Sequence, residues 1–275
     1  MTPPPQPRAA PTRFVILAGA RTGSALLVGL LNSKGAIRCH AEVFHPNKVF
    51  VSLPEVKASP ELREMLKRER AADPIGFLER LYEAGAGFKA VGFKLFPGQN
   101  DQVMEHVIRD PAIRKIVLYR DNVLAVYSSN LIANATGRFS GMDVGPQAME
   151  VKVEFDPVGF AAFHDRYVRR GHHMFEAVSS CGQICHPVEY TQLSEPALTA
   201  GIAAFLGLDP STINRSPRPL KQNSSDILSR FSNPEAAHDF LAERDLLGWA
   251  YEGRTDWTLL AEDSKAEPPA PLATA

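Results

Sequence analysis

Residues 14–18 are uninterruptedly apolar, which predicts a short strand buried on both faces. Gly19 and Gly23 then bracket Ala20, Arg21 and Thr22, and beyond Ser24 the residues Leu26, Leu27, Leu30 and Leu31 recur at helical spacing. The pattern is strand, glycine-bearing turn, helix. Asn32 reads as the helix stop, and residues 36–40 as a second strand running into Ala41-Glu42-Val43-Phe44-His45-Pro46. Glu42 is therefore expected just beyond a strand's carboxyl end, the side on which open parallel sheets bind ligands. Between 56 and 84 the pattern predicts two helices divided near 71–74, where Asp73 is a natural N-cap and Pro74 suits the first helical position.

Residues 89–96 and 113–119 read as further strands, the second very clearly buried, with a helix over 101–109 between them. After Arg120-Asp121-Asn122 a helix runs through Val123, Val126, Tyr127 and Leu131, capped by Asn122 or Asp121. The stretch 135–155, with Gly137, Gly141, Gly145 and Pro146, reads as a mobile loop over the site, in which Phe139 and Phe155 could stack on a sugar ring or anchor the loop. A long helix over 157–179, a strand over 184–190 and a helix over 195–206 stopped by Gly207 follow, then short helices to Trp249 and Tyr251. Strands alternating with helices predict an α/β fold with a mostly parallel sheet.

Composition changes this picture little. The chain has 275 residues, 44% hydrophobic and 22% charged, as in an ordinary soluble protein. A net charge of −1 gives no basic footprint for nucleic acid, so anion binding must come from a local cluster. Cys39, Cys181 and Cys185 suggest neither a disulfide framework nor a zinc site, and His164, His172 and His173 bring no second ligand set. The Pro-rich start lacks a signal-peptide core, and no apolar run approaches a membrane span. A cytoplasmic, reducing location is expected.

The chemistry concentrates in two places. A strand, a glycine turn and a helix N-terminus make an anion site, because the first helical amides lack intrahelical partners and the helix dipole favours negative charge. Gly23 admits a close ligand, Thr22 and Ser24 bring hydroxyls, and Arg21 a guanidinium. The ending is not the Gly-Lys-Ser/Thr of a Walker A motif. Arg120 and Ser128, eight residues apart across a strand end and two helical turns, could hold a second phosphate. Each alone reads as a capping arginine and a surface serine.

Together these residues resemble sulfotransferases that use 3′-phosphoadenosine 5′-phosphosulfate (PAPS), and most closely the bacterial carbohydrate enzymes of Nod-factor and trehalose type. Arg21-Thr22-Gly23-Ser24 is similar to the family's 5′-phosphosulfate loop, and Tyr119-Arg120-Asp121-Asn122-Val123-Leu124-Ala125-Val126-Tyr127-Ser128-Ser129 to its 3′-phosphate motif. Val91-Gly92-Phe93-Lys94-Leu95-Phe96, Thr136-Gly137-Arg138-Phe139 and Lys221-Gln222-Asn223 also resemble the bacterial branch. The resemblance covers about residues 13–250 and implies a P-loop-like three-layer fold; with no polar linker in the middle and Pro-rich ends, one domain is expected over 13–260, between a disordered arm (1–12) and a disordered tail (261–275). It implies sulfuryl transfer from PAPS to a hydroxyl of a carbohydrate, glycolipid or other small acceptor, leaving adenosine 3′,5′-bisphosphate and needing no metal. Cofactor contacts would come from Ala20, Arg21, Thr22, Gly23, Ser24, Ala25, Arg120, Ser128 and Lys221. Glu42 would be the general base, with His40 and His45 as competitors, and Arg21 and Lys94 would serve the reacting group. Ala25 departs from the family, which usually has a second hydroxyl there. A P-loop nucleotide kinase or NTPase and a non-catalytic nucleotide-binding relative are the alternatives. The acceptor and the oligomeric state, a homodimer included, stay open.

Overall fold

A computed structural model describes residues 10–139, 151–213 and 223–252. The expected α/β architecture is present: five parallel strands in the order β2-β3-β1-β4-β5, flanked by helices. They are β1 (Thr12–Ala18), β2 (Ile37–Glu42), β3 (Ala90–Leu95), β4 (Ile113–Tyr119) and β5 (Cys185–Glu189). The apolar runs read from the sequence are the central strands, and Phe14 to Ala18 are fully buried.

Contacts group the chain into two compact units. The first takes residues up to Asp121 together with Arg166–Leu220, and the second takes Asn122–Asp165 and residues from Lys221 onward. The first unit holds the whole sheet. On one face, α1 (Ser24–Leu31) and α8 (Pro196–Phe205) pack against Phe14, Ile16, Ile116 and Leu118. On the other, α4 (Pro74–Glu83), α5 (Asp101–Arg109) and the end of α7 (Pro157–Ser180) cover Val15, Leu17, Val91, Phe93 and Val117. The helices that follow β1 and β3 thus lie on opposite faces although the strands are neighbours. That divergence opens a crevice at the carboxyl ends of β1 and β3, the switch point where open parallel sheets take ligands.

Between 54 and 83 the chain makes three helices, α2 (Pro54–Ala58), α3 (Pro60–Ala72) and α4, where the sequence reading had two. The extra break is a second copy of the signal read at Asp73-Pro74. Ser59 caps α3 through Leu62 N–H, with Pro60 at its first position, as Asp73 caps α4 through Gly76 N–H.

The second unit contains α6 (Val123–Thr136), the first turns of α7, and α9 (Pro234–Ala242). Its core is aromatic: Tyr127 lies 5.2 Å from Phe160, Phe155 5.3 Å from Phe231, and Phe160 5.4 Å from Phe240, ring to ring. Phe155 is 2% exposed inside this cluster, so of its two expected roles it is an anchor, while Phe139 is 59% exposed. Helix α6 continues to Thr136 before Gly137, at φ +67°, ends it. Most of the loop expected over the site, and nearly all of the two terminal segments, lie outside the described residues.

Candidate active site

The turn after β1 is tied to itself. Thr22 is 1% exposed and its hydroxyl donates to the Gly19 carbonyl at 2.8 Å, so its proton closes the turn. Arg21 sits at φ +64°, an uncommon conformation for a residue with a Cβ. Gly23, at φ +87°, precedes α1 with no side-chain cap, so the first-turn amides face the turn. Only glycine fits there, because a Cβ would come within 2.5 Å of the Tyr190 ring. Ala20 and Ala25 are exposed on either side.

Ser24 and Glu42 are joined through Lys94. Its Nζ donates to Ser24 Oγ at 3.3 Å and stands 3.1 Å from Glu42 Oε1. Lys94 is 6% exposed on β3, and an ammonium buried to that degree needs its carboxylate partner. A register shift between His40 and Glu42 aligns the pair: His40 matches Phe93, Ala41 is the extra residue, and Glu42 matches Lys94. Bulges of this kind re-aim a side chain beside functional sites. Glu42 is thus the last residue of β2, one step inside its expected place. Its second oxygen, Oε2, accepts from Gln99 Nε2 at 2.8 Å.

His40 and His45, the competing bases, are placed differently. His40 is 2% exposed and its Nδ1 accepts the Ser52 N–H at 2.8 Å; burial pushes its pKa down to about 4. It is a neutral structural acceptor. His45 Nδ1 accepts the Asn47 N–H at 3.2 Å, and its ring meets Phe50 edge-on at 5.5 Å.

Arg120 directly follows β4 and turns back to the first loop, donating to the Arg21 carbonyl at 2.7 Å. Its guanidinium lies 4.1 Å over the Tyr190 ring. Its peptide is gripped by Tyr167 of α7, whose hydroxyl donates to the Arg120 carbonyl and accepts its N–H, both at 3.1 Å. Burial pushes the Tyr167 phenol up to about 12, keeping it protonated. Tyr190 is set by a capping box after β5: Glu189 accepts the Thr191 N–H, and Gln192 reaches back to the Glu189 N–H. Burial first, then the Arg120 charge, holds the Arg21 pKa below its usual value. Arg120 is thus linked to the Arg21 carbonyl, and the same turn leads into a helix start with no side-chain cap, a placement whose positive charge and dipole suit an anion.

In the second unit, Ser128 is fully buried. Its hydroxyl donates to the Ala125 carbonyl at 3.2 Å and accepts from Arg230 Nη1 at 3.0 Å. Arg230, 4% exposed, also binds the Ser224 carbonyl and lies 3.8 Å from Glu252. Asn223 donates to Ser129 at 3.2 Å. Lys221 lies outside the described residues. Among the described residues no three His, Cys, Asp or Glu side chains gather as metal ligands, and no helix is long and apolar enough to cross a membrane.

Sequence reasoning did not single out Gln99, Tyr167, Tyr190 or Arg230. A glutamine in a turn carries no periodic signal. Tyr190 had one available: an aromatic directly after a strand whose Glu189 and Gln192 are spaced to bond each other.

Fold and site together define a parallel α/β protein whose switch-point loop gathers two guanidiniums, a buried lysine–carboxylate pair and an uncapped helix start. Neither a family model nor a curated protein matches the chain. A solved structure of a sulfotransferase from Alicyclobacillus acidocaldarius is similar over 88% of this chain and 99% of its own, at 16% identity and a TM-score of 0.45. A likeness that distant does not bear on what this chain does.

Proposed function

We propose that this protein is a PAPS-dependent sulfotransferase acting on a hydroxyl of a carbohydrate, glycolipid or other small acceptor. One observation carries the reading: Lys94 touches both Ser24 of the anion loop and Glu42, bringing a phosphate-binding hydroxyl and a candidate base within reach of one ammonium. PAPS supplies the sulfuryl group and a phosphate leaving group. Arg21, Ser24 and the first amides of α1 hold the 5′-phosphate and stabilise the charge that grows on it, a contribution of about 2.7–4 kcal/mol per donor in comparable sites. Lys94 adds a cation beside the reacting oxygens. Glu42 accepts the acceptor's hydroxyl proton, and the oxygen so freed attacks sulfur in line with the departing phosphate. For the 3′-phosphate the sequence motif nominates Arg120 and Ser128, and Arg120 has the Tyr167 grip and Tyr190 stack suited to a fixed anion ligand.

The test is selective stabilisation. Adenosine 3′,5′-bisphosphate should raise the melting temperature more than ADP does, and Arg120→Ala should abolish the difference. Labelled sulfate should pass from PAPS to a member of a panel of sugars, glycolipids and alcohols. Equal response to ADP, or magnesium-dependent ATP turnover, would instead identify a nucleotide kinase or NTPase. Tight bisphosphate binding with no acceptor ever sulfated would identify a non-catalytic relative.

A further inference from the structure

Gln99 lies in the tight turn between β3 and α5, closed by its own N–H to the Phe96 carbonyl at 3.1 Å, with Gly98 at φ +83°. Its side chain folds back over the same turn. Oε1 accepts the Phe96 N–H at 3.1 Å, and Nε2 donates to Glu42 Oε2 at 2.8 Å. The two ends of an amide are interchangeable by shape, but here the chemistry allows one orientation: a backbone N–H only donates and a carboxylate only accepts. The turn thus aims an NH2 group at Glu42.

We propose that Gln99 is a positioning residue for Glu42, holding the carboxylate in the plane from which it takes the acceptor's proton; this rests on the sulfotransferase reading above. The carboxylate has two fixed partners, Lys94 on Oε1 and Gln99 on Oε2. They differ in kind. Lys94 is shared with Ser24 and stands where an anion would compete for it, whereas Gln99 is neutral and anchored to the backbone. When the anion draws on Lys94, Gln99 keeps the carboxylate in register without adding charge. The neighbouring titratable side chains of this stretch bind backbone: His45 Nδ1 accepts the Asn47 N–H, His40 Nδ1 accepts the Ser52 N–H, and Arg70 of α3 donates to the Val43 and Lys48 carbonyls.

The experiment separates positioning from turn-stapling. Gln99→Glu keeps an acceptor for the Phe96 N–H but replaces the donor by a second carboxylate. We expect kcat to fall at least tenfold at pH 7 and the acid limb of the kcat profile to move to higher pH by about one pH unit, as for like-charged neighbours. The KM for PAPS should stay within twofold. Gln99→Ala should lower kcat in the wild type but cost nothing further in Glu42→Gln, because the two act as one unit. An unshifted acid limb in Gln99→Glu, or additive losses in the double variant, overturns the proposal. The Glu42 carboxyl followed by carbon NMR supplies a readout independent of turnover. If it titrates at higher pH in Gln99→Glu than in wild type while no sulfate is transferred, the clamp stands and the sulfotransferase reading fails; an unchanged titration overturns the clamp itself.

Discussion

Arg21 combines two costs in one residue: a left-handed backbone at φ +64° and a guanidinium packed beside Arg120. The first alone costs roughly 1–2 kcal/mol for a residue with a Cβ. Such strain persists where the surroundings over-determine it, and here the Arg120 guanidinium holds the Arg21 carbonyl. Arg21→Gly should therefore leave the melting temperature of the free protein unchanged or higher while weakening stabilisation by the bisphosphate and by ADP alike and lowering kcat/KM at least a hundredfold. A large fall in stability would show that the arginine is structural. Gly23→Ala should act in the opposite sense and lose stability as well as binding, since the new Cβ meets both the φ restriction and the Tyr190 ring. At this scale the sequence disclosed the residues that bring charge, Arg21, Glu42, Lys94 and Arg120, because their types and flanking strands are local signals. It did not disclose their supports. Gln99 meets Glu42 across fifty-seven positions, and Tyr167 meets Arg120 across forty-seven, by packing that no local pattern encodes.

Among the elements, β2 shows how one extra residue governs chemistry. The shift at Ala41 sets Glu42 against Lys94 and leaves His40 inward with its Nδ1 on Ser52. The sequence predicted this strand but could not predict the bulge, because one inserted residue leaves no trace in so short a strand of mixed apolar and polar residues. Its consequence is an acid sensitivity. Burial holds His40 at about 4 in the folded state against 6.5 in its ordinary range, so between those values the unfolded chain binds the proton more readily. Stability from this group is complete above pH 6.5 and is lost as pH falls toward 4, by about 3 kcal/mol in all. In His40→Gln the side-chain oxygen can accept the Ser52 N–H without titrating. Its urea midpoint should fall less between pH 6.5 and 4 than that of the wild type; equal slopes would mean that His40 contributes nothing to acid unfolding.

At the scale of the whole molecule, a chain of net charge −1 must bind an anion through a local cluster. The absence of a polar linker is the ground for expecting one domain over 13–260, and within the described chain contacts group the residues into two units, each built from two separated stretches. Such grouping depends on which distant segments pack together, and composition along the chain does not report it. Charge is more legible. The run on α3 that looks basic alternates in sign: Lys67 pairs with Glu64 at 3.8 Å, and Arg68 is exposed beside Glu69. A charge in water is screened within about 8 Å at physiological ionic strength, whereas Lys94 and Arg120, each 6% exposed, escape most of that screening. Reversing Lys67 and Arg68 to glutamate changes the net charge by −4, yet should leave bisphosphate affinity within twofold at 0.15 M salt. Arg120→Ala changes it by −1 and should weaken binding at least a hundredfold. Titration calorimetry of the two variants beside the wild type decides the matter. Comparable losses in both would mean that the field of the whole protein draws the nucleotide in. A loss confined to Arg120→Ala places recognition in the contacts of the switch-point loop.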